Sequence, residues 1–187
     1  MDAPAIRLQE IIRSHQWLMT LLQIVSDITE ARCYIGAGAV RDVVWDQMFG
    51  FSDHDAINDI DVVYFDTHRI GGDSDAELQK RLTQEHTAVE WEVTNQAGVH
   101  LWFEDCGDDI APYSSIEEAV ASWPEYATAI AVRIDNDQFD VIAPHGLDDL
   151  LAMRVRHNPV QVSEAKYQSR LSKKRYHERW PNVEIEQ

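Results

Sequence analysis

The chain has 187 residues, of which 44% are hydrophobic, and a formal net charge of −17, which together fit a single globular domain with an acidic surface. No segment reaches the roughly 18–20 consecutive apolar residues of a membrane-spanning helix, and the first residues lack the layout of a secretion signal. The two cysteines, Cys33 and Cys106, are too few for a disulfide framework. The composition therefore predicts a protein of the reducing cytoplasm that does not engage a membrane.

The charge is distributed unevenly along the chain. Residues 1–149 hold 8 Lys/Arg and 29 Asp/Glu, a net charge of −21, whereas residues 150–187 hold 8 Lys/Arg and 4 Asp/Glu, a net charge of +4. The acidic part argues against broad binding to nucleic acid, because it repels a phosphate backbone. The basic end has two interpretations: an ordinary solvated surface, or a surface that faces an anionic ligand held by the acidic part.

The predicted helices and strands alternate along the chain. Apolar residues at helical spacing predict one amphipathic helix near the N-terminus, and the next helix follows a short strand and stops at Gly50. Runs of β-branched and aromatic residues predict the strands. The predicted strands cover residues 31–36, 59–66 and 89–95, later helices cover 75–86 and 114–122, and residues 128–134 and 138–144 form a hairpin.

This order predicts an α/β or α+β fold in which a mixed sheet is flanked by helices. Three parts follow from it: an N-terminal helix over residues 1–30 packed on a core, the core itself over residues 31–145, and a basic helical extension over residues 146–187.

Asp59 and Asp61 are the acidic pair that leads directly into a predicted strand, "DIDVVYF". Residues two apart on a strand point to the same face, so these carboxylates repel each other and lose solvation. A divalent cation relieves both penalties, and Mg²⁺ prefers hard oxygen ligands of this kind. The alternative is a strand that simply starts in solvent.

Two other metal sites are excluded by spacing. The segment "DHDAINDIDVVY" does not fit an EF-hand loop, because Tyr64 stands where the final glutamate is needed and no glycine occupies the sixth position. Zinc lacks support, because the eight histidines are scattered and the cysteines are unpaired.

Gly36 and Gly38 form a corner between a predicted strand and a predicted helix, in "YIGAGAVRD". Free backbone N–H groups at such a helix N-terminus bind phosphate oxygens well. Arg41 follows in the first turn, where the helix dipole disfavours a cation unless a negative group is near. A bound phosphate would supply that charge, and so would Asp42 or a neighbouring acid. The segment is neither a Walker loop nor a dinucleotide-binding fingerprint.

In combination these motifs resemble the polymerase-β nucleotidyltransferase superfamily. "GAGAVRD" is similar to the Gly-Gly-x-Val-Arg-Asp motif of tRNA CCA-adding enzymes and bacterial poly(A) polymerases, with Ala37 in place of the first glycine. The closer resemblance, over roughly residues 31–181, is to a family of small bacterial nucleotidyltransferase-like proteins of unassigned substrate. It rests on the blocks "AVRDVVWD", "INDIDVVYFD", "WEVTNQA", "APYSSIEEAVASWPEYATAIAV" and "VIAPHGLDDLLAMRVRHNP".

The resemblance implies roles for particular residues. Residues 31–145 would be the catalytic core, in which Gly36, Gly38 and Arg41 bind the triphosphate. Asp59 and Asp61 would hold two Mg²⁺ or Mn²⁺ ions with a third acid from a later strand. Glu92 is favoured as this third metal ligand and catalytic acid because its strand follows directly, and Asp140 is the runner-up. Either acid could instead pair with an arginine such as Arg133.

The resemblance also implies the reaction, which is transfer of a nucleoside monophosphate from an NTP to a hydroxyl acceptor with release of pyrophosphate. The acceptor could be a small molecule, a tRNA end or a protein side chain. Alternatives are a nucleotide-binding regulator without turnover and a metal-dependent phosphohydrolase. Basic C-terminal residues would meet the phosphates or the acceptor, or would form a helix-surface stripe; they are Arg154, Arg156, Lys173, Lys174 and Arg175.

Overall fold

The computed structural model of the protein describes residues 3–29, 31–51, 59–105 and 110–186. The helices are α1 Ala3–Ser14, α2 Gln16–Ile28, α3 Ala37–Phe49, α4 Asp73–Glu85, α5 Val99–Asp105, α6 Ile116–Ala121, α7 Asp148–Leu151, α8 Glu164–Lys174 and α9 Tyr176–Arg179. The strands are β1 Tyr34–Gly36, β2 Asp59–Tyr64, β3 Glu90–Asn95, β4 Ala131–Asp135, β5 Gln138–Ile142, β6 Arg154–Val155 and β7 Glu184–Ile185. Single 3₁₀ turns cover Gln96–Gly98 and Tyr126–Thr128.

Five strands form one mixed sheet in the order β3-β2-β1-β4-β5, which confirms the predicted fold class. β2 and β3 are parallel and are joined through α4, the crossover expected when one helix separates two strands. The remaining neighbours are antiparallel, and β4–β5 is the predicted hairpin. Its two turn residues, Asn136 and Asp137, have positive φ angles of 49° and 62°, as a two-residue hairpin turn requires.

The two faces of the sheet are covered differently. Ile60, Val62 and Trp91 belong to the main hydrophobic core, together with residues of the helices. Val63 lies on the opposite face, in a smaller cluster with Tyr34. Because side chains alternate along a strand, Asp59 and Asp61 point to this second face, as does Glu92, which directly follows Trp91.

Both ends of the described chain contribute to the main core. Leu8 and Leu18 are fully buried in it, as are Tyr167 and Trp180 of the C-terminal segment, at 3% exposure or less. The predicted single N-terminal helix is two helices, because the chain breaks at His15, whose ring Nδ1 accepts a hydrogen bond from the Leu18 N–H at 3.4 Å. The helices at both ends therefore form one packed unit with the sheet.

Other predicted elements are confirmed with shifted bounds, as for α4, which begins at Asp73 and not at residue 75, and some elements were not predicted. α3 ends at Gly50, whose φ of +72° is a left-handed C-cap, and α6 lies within the predicted 114–122. The sequence did not predict α5 or the small parallel sheet β6–β7, so the C-terminal part is not wholly helical.

Within the described ranges no helix is long and apolar enough to cross a membrane. Cys33 is a buried free thiol, and Cys106 and most of the predicted loop 51–58 lie outside those ranges.

Candidate active site

A cavity of about 510 Å³ lies between the second face of the sheet and the C-terminal segment. Carboxylates of β2 and β3 line it together with cationic side chains of α8 and α9, which we call the cationic wall. We call it the acid–base cavity; its lining residues are Ala37, Gly38, Arg41, Asp42, Asp59, Asp61, Glu92, Arg170, Lys173, Lys174, Tyr176, Arg179 and Trp180. The structure therefore brings together the glycine corner, the acidic pair and the favoured third acid.

Strand register brings the three acids together. Asp61 pairs directly with Glu92 across the parallel β2–β3 ladder, and Asp59 precedes Asp61 by two residues on the same face. Burial, together with the negative charges of Asp59 and Glu92, raises the pKa of Asp61 to about 6. An ionised Asp61 is thus destabilised by its surroundings, which is the electrostatic condition that favours a bound cation.

The donor set suits a hard divalent cation, because all three side chains offer carboxylate oxygens. Asp59, Asp61 and Glu92 share a cavity without forming a closed ligand cluster, and the described part of the chain contains no compact group of three or more His, Cys, Asp or Glu side chains. The three carboxylates therefore suit Mg²⁺ in their chemistry and line one cavity, and they would have to move closer together to coordinate an ion jointly.

The glycine corner has a different physical requirement at each position. A Cβ on Gly36 would lie 2.7 Å from a ring carbon of Trp123, so this glycine is needed for close packing. Ala37 has a φ of +51°, a left-handed conformation that glycine adopts more readily than alanine. A Cβ on Gly38 would meet only the Arg41 Nη2, at 3.8 Å. The fold itself thus tolerates a side chain at Gly38, which faces the acid–base cavity.

Arg41 is buried, at 3% exposure, and its charge already has an acidic partner. Its Nε donates to the Asp42 carboxylate at 2.7 Å. A neighbouring acid therefore supplies the negative charge that an arginine in the first turn of a helix needs, as the sequence analysis allowed. Its Nη1 donates to the Tyr176 hydroxyl at 3.0 Å, and its guanidinium lies 4.9 Å from the centre of that ring. Arg41 therefore connects α3 to α9 at the base of the cavity.

Two buried acids that sequence reasoning missed hold the C-terminal segment in place. Glu125, fully buried, accepts hydrogen bonds from the Tyr176 hydroxyl at 2.8 Å and from the Arg170 Nε at 3.2 Å. Asp46 on α3 accepts two hydrogen bonds from Arg179, at 2.9 and 2.6 Å. Neither acid has a local sequence feature that separates it from the many solvated acids of this chain.

The predicted basic residues fall into two groups. Lys173 and Lys174 line the acid–base cavity, and neither forms an ion pair with any residue that the structure describes. Arg154 and Arg156 contact Asp149 instead, at 3.6 and 2.7 Å, and lie outside the lining of the cavity. Arg175 contacts Glu178 and is likewise outside it.

Arg170 and Arg179 also line the cavity and were not predicted. The available indication for Arg170 was its spacing, because it precedes Lys173 and Lys174 by three and four residues and so shares their face of α8.

Asp140, the second candidate for the third acid, lies on the edge strand β5, three positions from β2 in the sheet. Its carboxylate accepts a hydrogen bond from the Tyr34 hydroxyl at 2.8 Å and forms a salt bridge with Arg32. Arg133, its predicted partner, is its neighbour in register but contacts Asp135 at 3.4 Å. Asp140 is therefore absent from the lining of the acid–base cavity, whereas Glu92 is part of it.

The strand order, the glycine corner before α3 and the acids on β2 define the head-domain fold of polymerase-β-like nucleotidyltransferases. The protein is similar to a solved structure described as a CCA-adding enzyme head domain, with a TM-score of 0.79, 30% identity, and coverage of 96% of this chain and 94% of the other. The sequence profile of the Nucleotidyltransferase family matches residues 23–185. The chain belongs to this nucleotidyltransferase family.

More distant structures share the fold alone. An apo CCA-adding enzyme matches with a TM-score of 0.59 and 14% identity over 95% of this chain, and an apo tRNA-processing enzyme with 0.51 and 21% over 89%. This chain spans 42% and 45% of the length of those two proteins. No curated protein matches the chain in a sequence comparison.

Proposed function

We propose that the protein transfers a nucleoside monophosphate from an NTP to a hydroxyl acceptor with release of pyrophosphate, using a divalent cation. The observation that carries the proposal is the acid–base cavity itself, in which three carboxylates face Arg170, Lys173 and Lys174. A nucleoside triphosphate with Mg²⁺ would match this division of charge, because the carboxylates would hold the cation and the cationic wall would bind the polyanionic tail.

Asp59, Asp61 and Glu92 would hold the metal. Two Mg²⁺ or Mn²⁺ ions in such a site neutralise charge on the α-phosphate and lower the pKa of the attacking hydroxyl. The raised pKa of Asp61 indicates that these carboxylates repel one another, so the residues are more stable with a cation among them.

The triphosphate would lie along the cationic wall. The first N–H groups of a helix lack acceptors within the helix, and Gly38 presents this end of α3 to the cavity. Lys173 and Lys174 line the cavity without a close ion pair to a described acid, although the charge of Lys174 acts on Asp61 and Asp42, so both ammonium groups can turn to the β- and γ-phosphates. Gly36 supports this corner through its packing on Trp123 and does not line the cavity.

Arg41 remains part of the proposed nucleotide site because it lines the cavity. Its pair with Asp42 and its burial leave little of the guanidinium to a ligand. We therefore assign it chiefly to holding Tyr176, and through it the cationic wall, against α3.

The chemical step requires no covalent enzyme intermediate. The acceptor oxygen forms a bond to the α-phosphorus, the bond from that phosphorus to the bridging oxygen of the β-phosphate breaks, and pyrophosphate leaves with the electron pair. The hydroxyl proton passes to a carboxylate in the cavity. Glu92 is the proposed base, because it pairs with Asp61 on the strand next to it.

The decisive experiment incubates the purified protein with each of four α-labelled NTPs, Mg²⁺ and a cell extract that supplies acceptors. We expect pyrophosphate release together with transfer of the label, and loss of both in the double variant Asp59→Asn, Asp61→Asn. Nucleotide binding without label transfer would identify a regulator, and release of orthophosphate a phosphohydrolase; either result would refute the proposal. The labelled product distinguishes a small molecule, a tRNA end and a protein side chain as acceptor.

A further inference from the structure

A second cavity, of about 290 Å³, adjoins the acid–base cavity on the same face of the sheet, and Ala37 and Asp61 line both. Four aromatic side chains contribute to its walls: Trp102, Phe103, Tyr113 and Trp123. We call this cavity the aromatic groove. The proposed binding of metal and triphosphate in the acid–base cavity does not use this groove. The inference drawn from the groove rests on the proposed function.

The composition of the aromatic groove contrasts with that of the acid–base cavity. Among the described residues that line it, none is Lys or Arg, and Asp61 is the one that is charged. Such a surface repels the phosphates of a polynucleotide and favours a planar, uncharged ring, which stacks on aromatic side chains. Trp102 is 53% exposed, so its ring is accessible to a ligand and contributes little to the core.

Polar groups line the groove between the rings. Gln96 accepts a hydrogen bond from the Trp123 indole N–H at 3.3 Å, which orients its amide, and Thr94 and Gln161 also line the walls. Amide and hydroxyl groups can pair with the donor and acceptor edges of a heteroaromatic ring. The groove thus offers stacking and hydrogen bonding together.

The two cavities extend in opposite directions from Asp61. The acid–base cavity includes Asp59, two residues earlier on β2, and the aromatic groove includes Val63, two residues later. Nucleotidyl transfer needs the attacking and leaving oxygens roughly in line through the phosphorus. If the pyrophosphate lies against Lys173 and Lys174, the groove offers the acceptor a separate approach that also reaches Asp61.

We propose that the aromatic groove binds the acceptor, and that the acceptor is a nucleoside-like molecule whose heteroaromatic ring stacks on Trp102 and whose hydroxyl group reaches Asp61. This assignment selects a small, ring-bearing molecule over a tRNA end, because the described lining of the groove offers a phosphate backbone no Lys or Arg.

The test measures binding of uncharged nucleosides (adenosine, guanosine, cytidine and uridine) to the full chain by calorimetry without Mg²⁺. ATP with Mg²⁺ is titrated separately. We expect saturable binding of at least one nucleoside, about tenfold weaker in Trp102→Ala, the size of one lost stacking contact. Trp102→Phe, which keeps a ring, should restore most of the affinity. Phe51→Ala removes an aromatic side chain of 41% exposure outside the groove and should leave binding unchanged.

Three results would overturn the proposal: no saturable binding of any nucleoside to the wild type, equal nucleoside affinity in Trp102→Ala and the wild type, or a loss of ATP affinity in Trp102→Ala that matches the loss for the nucleoside. The last result would place the donor base in the groove. If nucleosides bind as expected but ATP does not bind and pyrophosphate is not released, the groove is supported as a ring-binding site and nucleotidyl transfer alone is refuted.

Discussion

Asp61 and Glu92 lie directly opposite each other on two parallel strands, and both line the acid–base cavity. Burial and the negative charges of Asp59 and Glu92 together raise the pKa of Asp61. We therefore test Asp61 through the pH dependence of stability, Asp59 and Asp61 through metal binding, and Glu92 through turnover.

The first prediction concerns pH in the absence of metal. Burial and the charges of Asp59 and Glu92 raise the pKa of Asp61 to about 6 in the folded protein, above the value of about 3.9 for an unperturbed aspartate. The folded state therefore holds this proton more tightly than the unfolded state, so its contribution to stability is present below about pH 4 and is lost as pH rises toward 6. Asp61→Asn should remove this component of the pH dependence in urea unfolding between pH 4 and 7.

Asp27→Asn is the matched control, because Asp27 is exposed on α2 and distant in sequence from the acids. It should reproduce the wild-type pH profile. A wild-type profile in Asp61→Asn as well would show that Asp61 does not carry the shifted ionisation.

The second prediction concerns metal binding. Mg²⁺ or Mn²⁺ should stabilise the wild type by about 2.7 kcal/mol at a hundredfold excess over its Kd, as binding to the folded state alone requires. Asp59→Asn with Asp61→Asn should abolish this gain and leave the metal-free protein at least as stable, because like-charge repulsion is removed. Thermal unfolding with and without metal measures both effects.

Asp140→Asn serves as the control for metal binding. It should lower the basal stability, because Tyr34 and Arg32 lose their partner, yet preserve the gain on adding metal. A metal response that survives in the double variant would exclude the β2 pair from the site.

The third prediction separates two neighbouring glycines. Gly38→Val should weaken NTP binding about tenfold or more with little change in unfolding free energy, because it narrows the cavity without a clash in the fold. Gly36→Ala should do the reverse, destabilising the fold by about 1–3 kcal/mol as Trp123 and the Ile130 carbonyl are displaced. Calorimetric NTP titrations and urea unfolding of both variants measure the two effects. A Gly38→Val variant that fails to fold would contradict the phosphate-binding role of Gly38.

The fourth prediction concerns Ala37, which occupies the position of the motif's first glycine. Its left-handed φ of +51° costs an alanine about 1–2 kcal/mol, so Ala37→Gly should raise the unfolding free energy by up to about 1 kcal/mol after the entropic cost of glycine. It should also tighten triphosphate binding if the methyl group crowds the phosphates. Ala39→Gly, within α3, should lower stability instead, and a loss of stability in Ala37→Gly would argue against backbone strain.

The fifth prediction concerns the base. Glu92→Gln should lower kcat by roughly 10²–10⁴, as expected for loss of a general base, with a small change in nucleotide Kd. Asp140→Asn should affect kcat far less, because Asp140 lies outside the acid–base cavity. Single-turnover rates with a saturating labelled NTP distinguish the two, and wild-type turnover in Glu92→Gln would remove it from the mechanism.

Short-range patterns account for what the sequence predicted correctly. Asp59 and Asp61 share a face because side chains alternate along a strand, and β2 and β3 are parallel because one helix joins them. Alternation along β3 likewise places Glu92 beside them. The family resemblance added the order of these elements around the glycine corner.

Long-range contacts account for what it could not predict. The pairing of Asp46 with Arg179 joins residues 133 positions apart, and no local pattern indicates which acid a distant arginine will contact. For the same reason the sequence did not separate Lys173 and Lys174, which face the cavity, from Arg154 and Arg156, which face Asp149. The break at His15 depends on one ring accepting an N–H bond, which helical spacing does not reveal.

The distance in sequence between α3 and its C-terminal partners has a consequence for how the protein acquires its binding site during synthesis. Tyr176, Arg179 and Trp180 contact α3 from more than 130 positions downstream. A nascent chain still lacking them exposes the acids of β2 and β3 without the opposing lysines, so it repels a triphosphate. The lining of the acid–base cavity is therefore complete only after α8 and α9 have left the ribosome and packed against α3, so variants truncated before α8 should lack the cationic side of the cavity.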